Sequence, residues 1–505
     1  MFPEDFLWGV SISGFQFEMG NKERKYIDDK SDWFVWVHDQ ENIRTKLVSG
    51  DFPEDGINYW ELYEKDHQLA RNLGLNAFRL NIEWSRIFPE PTFKIDAGVE
   101  REDNGYISKI DIAQKDLEEL ENNANLEALK HYEQIIKDIT DKEMKVLVCL
   151  NHFTLPLWIH DPIVARKTKI KKGALGWIDE KTVIEFCKYA AFIAWKLGNL
   201  VDFWITFNEP MVVVEMGYAQ KASGFPPGVE NLNAMNKAAI NLAIAHARSY
   251  DLIKKFDTYK ADNKSPSSAT VGIVSNMIPF EPMNKKSKAD VSAANFMDFL
   301  HNRFIIEAIT SGQLIERLQE RKNNKKERRH LANRLDWIGI NYYSRAVVRG
   351  KFSLLAKSFI GIDYLPELVE GYGLYCKPNS LSIDKRETSD FGWEFYPEGL
   401  QEVIEKTSKF KLPVYITENG VADSEDKLRS KYIFEHLRIV EDILNTRKFN
   451  LKGYFHWSLI DNYEWAKGFS MKFGLFEVDL KTKERKMRKS AMTLRNIVEQ
   501  KTTYF

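Results

Sequence analysis

Cysteine is scarce in this chain: there are three in 505 residues, Cys149, Cys187 and Cys376, far apart from one another. They form neither a disulfide framework nor a zinc-ligand spacing, which fits a reducing, cytoplasmic setting. Neither sign of charge dominates, since 72 Lys and Arg face 73 Asp and Glu for a net charge of −1. That balance lacks the basic footprint of a protein that binds nucleic acid or an anionic membrane. No run approaches about 18 uninterrupted apolar residues, so no membrane span is expected. Met1-Phe2-Pro3-Glu4-Asp5 has neither the basic nor the apolar region of a signal peptide. A hydrophobic fraction of 44% with almost no net charge excludes disorder. What the chain carries in excess is aromatic surface, with 13 Trp, 20 Tyr and 32 Phe. Some of that surplus suits the flat apolar faces of sugars.

Eight short runs rich in β-branched and aromatic residues recur: Phe6–Ser13, Ala77–Trp84, Lys145–Phe153, Asp202–Glu209, Ala269–Asn276, Leu335–Tyr343, Pro413–Asn419 and Leu451–Leu459. Helical periodicity separates them. It is clearest over Thr182–Asn199, where Val183, Phe186, Ala190, Ile193, Ala194 and Leu197 form one stripe. Tyr63–Leu73, Glu127–Ile139, Ala238–Phe256 and Tyr432–Leu444 read the same way. Eight strands alternating with helices predict an α/β fold, a (β/α)8 TIM barrel spanning residues 1–505 as one domain. A doubly wound open sheet is the competing arrangement. Two insertions, about 91–125 and 351–387, follow the second and sixth runs and are expected at the C-terminal mouth, where such barrels build specificity.

The runs end on chemically loaded residues: Asn151-His152-Phe153, Asn208-Glu209-Pro210, Asn341-Tyr342-Tyr343, Glu418-Asn419-Gly420 and His456-Trp457-Ser458. Parallel strands bring these ends to one face. Asn, Ser and Gly at such places also serve as ordinary caps and turns, which accounts for Asn419-Gly420. It does not account for Glu209 and Glu418, carboxylates that follow apolar runs and must be desolvated. In the second run Phe78, Leu80, Ile82 and Trp84 alternate with Arg79, Asn81 and Glu83, so Arg79 points into the barrel. A buried guanidinium needs a carboxylate. Glu83 can supply it locally; Glu418 can supply it across the barrel, where Arg79 and a hydrogen bond from Tyr343 would hold it ionised as a nucleophile. Two facing carboxyl groups, one ionised and one pushed towards neutrality, are the working pair of a glycosidase. Asn208 and Glu209 are neighbours, so both reach one pocket only if the strand end is bulged or turning, as Pro210 suggests. No P-loop, dinucleotide-binding or metal-ligand motif competes, so neither cofactor nor metal is expected.

These residues resemble the retaining β-glycosidases of glycoside hydrolase family 1, from Phe2 to about Leu494. TFNEP at 206–210 is similar to the family's acid/base motif and ITENG at 416–420 to its nucleophile motif. The resemblance implies Glu209 as acid/base, Glu418 as nucleophile and Asn208 as a contact to the sugar 2-hydroxyl. Gln16 and His152 would hold hydroxyls of the non-reducing sugar, and Tyr343 and Arg79 would orient Glu418. Trp457 would stack beneath the ring, and Glu464 and Trp465 of NYEW (462–465) would grip its far hydroxyls. The segments 31–43, 47–56, 156–163 and SGFPPG at 223–228 are most similar to the branch found in heat-loving archaea. Members of that branch are often tetrameric, which implies a homo-oligomer.

One departure stands out: Phe153 occupies the position after the histidine where many members carry Trp, which implies a small change in sugar contact. The resemblance implies a retaining exo-β-glycosidase acting on terminal β-D-glucosides and β-D-galactosides, with transglycosylation as a side reaction. A 6-phospho-β-glycosidase is the alternative that Glu464 argues against, although Lys467 and Lys472 lie close by in sequence. A catalytically silent sugar-binding protein is a further alternative, against which both glutamates are retained.

Overall fold

The computed structural model describes residues 1–263, 265, 267–314, 326–354 and 361–504. Eight parallel strands close into a barrel: Leu7–Ser11, Ala77–Asn81, Lys145–Cys149, Phe203–Asn208, Thr270–Asn276, Trp337–Tyr342, Val414–Asn419 and Leu451–His456. Each hydrogen-bonds to its neighbours in chain order, and the first closes on the eighth. All eight expected runs are strands of this barrel, and the doubly wound sheet is excluded. Several strands end two to four residues before the apolar run does, because the chain leaves the ladder to enter the mouth. After Asn81, for instance, a short helix takes Trp84–Ile87.

Period-two geometry sorts the strand side chains into two cores. Phe78, Leu80, Val146, Val148, Trp204 and Ile416 face outward against the helices. Ala77, Leu147, Phe203, Ile205, Trp337, Tyr415 and Phe455 fill the barrel interior. Trp337 crosses that interior only because Gly272 has no side chain; a Cβ there would lie 2.2 Å from the indole. This plug closes the lower barrel, so the polar inward residues nearer the C-terminal ends form the floor of a cleft.

The expected helices are present as Glu180–Leu197, Tyr59–Asn72, Leu126–Asp141, Leu232–Phe256 and Arg429–Thr446. Asp179, Asn231 and Asn125 cap the starts of three of them by accepting backbone N–H bonds. All six residues of the stripe over 183–197 are buried.

The two insertions part company. Residues 91–125 form a hairpin, Gly98–Arg101 with Ile107–Asp111, and a helix, Gln114–Asn123. Rather than lining the mouth, the hairpin lies along the outer helices. Arg101 pairs with Glu180 at 2.5 Å, Lys255 with Asp111 at 2.9 Å, and buried Arg248 donates to the Ser108 carbonyl. Its charged faces find their partners on those helices, and no residue of 91–125 lines the cleft among the described residues. The second insertion does reach the mouth. Tyr364–Leu368 pairs antiparallel with Ala346–Phe352, which lies parallel to Phe280–Pro282, and Leu368, Leu374 and Tyr375 line the cleft. Residues 355–360 of that insertion lie outside the described residues.

The segment after the eighth strand is anchored from below. Arg488 grips the buried Asp461 with both terminal nitrogens at 2.8 Å and donates to the Gly474 carbonyl at 2.7 Å. Asp461 also accepts from the Gly474 N–H at 3.0 Å. Removing one member of a buried pair strands the other's charge. Arg488→Met is therefore expected to lower the unfolding free energy by about 3–5 kcal/mol. The urea denaturation midpoint measures this, and Arg488→Met combined with Asp461→Asn should recover part of the loss.

Candidate active site

Arg79 lies fully buried on the second strand and points inward, as the alternation requires. Its Nη1 donates to Glu418 Oε1 at 2.5 Å and its Nη2 to Asn208 Oδ1 at 2.6 Å. The partner is therefore the carboxylate across the barrel and not Glu83, whose oxygens are occupied elsewhere. Tyr343 donates its hydroxyl to the second oxygen of Glu418 at 2.7 Å. The carboxylate is thus held at both oxygens, by a guanidinium and a phenol.

Glu209 reaches the same cleft by leaving the strand. Its backbone is left-handed, φ 48° and ψ 54°, and the pairing of the fourth with the fifth strand shifts register between Ile205 and Asn208. Adjacent side chains on a regular strand would face oppositely; the shift and the left-handed residue turn both Asn208 and Glu209 inward. Pro210 then opens the next helix at its first position, where a missing N–H costs nothing. Asn341 Nδ2 donates to Glu209 Oε1 at 2.6 Å and to Asn208 Oδ1 at 3.0 Å, while its own oxygen accepts from Thr417 at 2.8 Å. A continuous hydrogen-bonded path, Glu418–Arg79–Asn208–Asn341–Glu209, therefore joins the two carboxyl groups.

The environments of the two acids differ. Glu418 has a guanidinium in direct contact. Glu209 has only amides, those of Asn341 and Asn276, and burial together with the negative charge of Glu418 pushes its carboxyl up to about 8. Such a pair combines a proton donor at neutral pH with a positioned anion. Asn208 Oδ1 already accepts from Arg79 and Asn341, so its amide nitrogen donates to His152 Nε2 at 3.1 Å. His152 is accordingly a neutral acceptor there, and burial, reinforced by Arg79, holds its imidazole well below the usual range.

Both acids line one cleft of about 380 Å³ together with His152, Phe153, Asn208, Tyr343, Trp457, Glu464 and Trp465. Gln16 is buried behind it and donates to Glu464 Oε2 at 3.2 Å and Asn462 Oδ1 at 3.0 Å. Glu464 is pushed up to about 8, by burial and then by the charges of Glu418 and Glu209. The His152 ring stacks near Trp457 and Trp465 at centroid distances of 6.0 and 5.9 Å. Phe153, with φ 74°, packs 5.0 Å from Trp465 and adds an aromatic surface to the cleft. Among the described residues no cluster of His, Cys, Asp and Glu could hold a metal ion.

The structure adds Asn276, Trp393 and Asn462 to the site. Asn276 ends the fifth strand and lies 3.5 Å from Glu209 Oε1, so the strand-end rule that found the others would have found it. Trp393 lines the mouth 5.2 Å from the Tyr343 ring, on a loop with no periodic signal.

Comparison with known proteins agrees with this geometry. The profile of glycosyl hydrolase family 1 matches residues 1–100 and 118–503. A β-galactosidase from Pyrococcus woesei is 49% identical over 502 residues, covering 99% of this chain and 97% of its own. The crystal structure of the β-glycosidase from the hyperthermophile Thermosphaera aggregans superposes with a TM-score of 0.89 at 43% identity, covering 99% and 96% of the two chains. A β-glucosidase mutant described as derived from a hyperthermophilic tetrameric structure gives a TM-score of 0.85 at 41% identity, covering 99% and 96%. The gap in the matched range, 101–117, covers most of the hairpin that lies on the outer helices and the first turn of the helix after it. With two buried carboxyl groups opposed across a cleft on a closed parallel barrel, this chain belongs to glycosyl hydrolase family 1 and is a β-glycosidase.

Proposed function

We propose that the enzyme is a single-domain, retaining exo-β-glycosidase that removes terminal β-D-glucosyl and β-D-galactosyl units by double displacement. The observation that carries this reading is the asymmetry of the two acids. Glu418 is held at both oxygens by Arg79 and Tyr343, and Glu209 is kept towards its neutral form. Glu418 attacks the anomeric carbon while Glu209 gives its proton to the departing glycosidic oxygen. Glu209, now ionised, takes a proton from the water that attacks the glycosyl ester, and Glu418 leaves. An alcohol in place of that water gives transglycosylation.

Asn208 faces the 2-hydroxyl, and Gln16, His152, Glu464 and Trp465 hold the remaining hydroxyls over the Trp457 ring. The relatives' names, one a β-galactosidase and another a β-glucosidase, support activity on both sugars. Glu464, held by Gln16 at 3.2 Å in the lining of the cleft, supplies a hydroxyl-binding carboxyl where a phosphorylated sugar would need a cation, which supports an unphosphorylated sugar even though Lys467 also lines the cleft. The relative derived from a tetramer supports a homo-oligomer, and three unpaired cysteines support a cytoplasmic location. No helix among the described residues is long and apolar enough to cross a membrane.

Glu418→Ala is expected to lower kcat on an aryl β-glucoside on the order of 10⁴-fold or more. Glu209→Ala should cost about 10²–10⁴-fold with poor leaving groups and far less with activated ones, with azide restoring turnover. Full activity in Glu418→Ala would remove that residue as nucleophile. Proton NMR of the first product should show the β-anomer; an α-anomer would exclude double displacement.

Glu209 must be protonated to act as the acid, and its carboxyl is raised above the ordinary carboxylate range to about 8. Activity should therefore persist through neutrality and fall as pH rises through about 8, visible as the alkaline limb of kcat/KM. With an activated leaving group that limb should vanish in Glu209→Ala and remain in Glu464→Gln.

A further inference from the structure

Glu83 stands two residues beyond the end of the second strand, directly before the helix Trp84–Ile87, is 1% exposed, and touches none of the groups assigned to the chemistry above. Its two carboxyl oxygens are nevertheless fully committed. Oε1 accepts from the Phe15 backbone N–H at 2.8 Å and from Asn81 Nδ2 at 3.1 Å, and Oε2 accepts from the Thr154 hydroxyl at 2.5 Å. Asn81 extends the brace by accepting from the Gly14 N–H. The contact is close enough that a Cβ on Gly14 would lie 2.7 Å from the Glu83 side chain.

The three segments tied together share one property. Phe15 directly precedes Gln16, whose oxygen is fixed by Ser13 at 2.7 Å and whose nitrogen meets Glu464. Thr154 lies two residues beyond His152, and its carbonyl is bound by Asn151 Nδ2 at 2.7 Å, which closes the loop around that histidine. The first-strand loop and the third-strand loop are separated by the second strand, and Glu83 bridges them beside Gln16 and His152, while farther along the first-strand loop Asp32 accepts from the Leu155 N–H at 2.9 Å.

We propose that Glu83 is a positioning residue for sugar recognition: by bridging the Phe15 N–H and the Thr154 hydroxyl it fixes Gln16 and His152 relative to each other across the non-reducing end of the site. This rests on the reading of Gln16 and His152 as sugar contacts and adds the element that sets their spacing. A backbone N–H and a hydroxyl on different loops, both satisfied by one rigid carboxyl, transmit its position with little slack.

The surroundings decide which substitute works. Glu83 shares its buried compartment with Glu18, Asp28, Arg86, Tyr132 and Tyr189. Arg86 is spent on Glu18 at 2.6 Å, and Asp28 is held by Ser85 at 2.7 Å. Burial, followed by the charges of Glu18 and Asp28, pushes the Glu83 carboxyl up to about 8. A carboxamide of the same shape keeps an oxygen to accept from Phe15 and Asn81 and turns its N–H towards the Thr154 hydroxyl, which can accept as well as donate, so Gln reproduces the brace better than a shorter or cationic residue.

The test is a mutant cycle on kcat/KM for an aryl β-glucoside at pH 7, corrected for active-site concentration by covalent titration. Glu83→Ala should lower kcat/KM about tenfold or more, the value of one to two hydrogen bonds, and Glu83→Gln should stay within about threefold of the parent. In the Gln16→Ala, His152→Ala background, Glu83→Ala should cost less than about threefold, because the residues it positions are gone. Thr154→Val, which removes a single arm, should move kcat/KM in the same direction and serves if Glu83→Ala does not fold. Additive losses in the double background, or full activity in both Glu83→Ala and Thr154→Val, overturn the proposal while leaving the sugar contacts standing. Unchanged kcat/KM in Gln16→Ala and His152→Ala overturns the reading of the contacts and the proposal with it.

Discussion

A guanidinium without access to water sits inside the barrel, and its positive charge has to be answered there. Arg79 cannot shed its proton, so the inward residues around it are arranged to satisfy it. Glu418 supplies the countercharge, and Asn208 takes the second terminal nitrogen through its oxygen. That choice fixes the Asn208 amide, which turns its nitrogen on His152 and thereby sets the histidine as an acceptor. Asn341 bonds the same oxygen and reaches Glu209. One buried charge on the second strand thus orders five side chains drawn from the third, fourth, sixth and seventh strands or the turns that follow them.

The same charge separates the two acids. Both are buried, and burial acts against the ionised form of Glu209. Only one is in contact with Arg79, and its negative charge raises the cost of a second anion nearby. Glu209 therefore keeps its proton at neutral pH. The division into donor and anion follows from which carboxyl the guanidinium touches, and both carboxyls are glutamates.

Much of this was legible from residue order. Alternation around Arg79 placed it inside the barrel and the apolar Phe78, Leu80 and Ile82 outside, because a strand has a period of two whatever surrounds it. The carboxylates after the fourth and seventh runs stood out because their neighbours are apolar. Other features were illegible for equally physical reasons. The left-handed turn at Glu209 leaves no periodic trace, and only its necessity could be inferred. The hairpin over 98–111 was expected at the mouth because it follows a strand. Its charged residues instead found partners on the outer helices, and ion pairs between distant segments carry no local sequence signal.

The sequence by itself determined the barrel and the inward set and singled out the two glutamates that the structure buries in one cleft, since those depend on local periodicity and on the cost of burying a carboxylate. Tertiary structure alone decided whether Arg79 met Glu83 or Glu418, which way the Asn208 amide faced, and which insertion built the cleft. Each of these is a competition among groups far apart in the chain, and it is settled only when folding sets the distances between them.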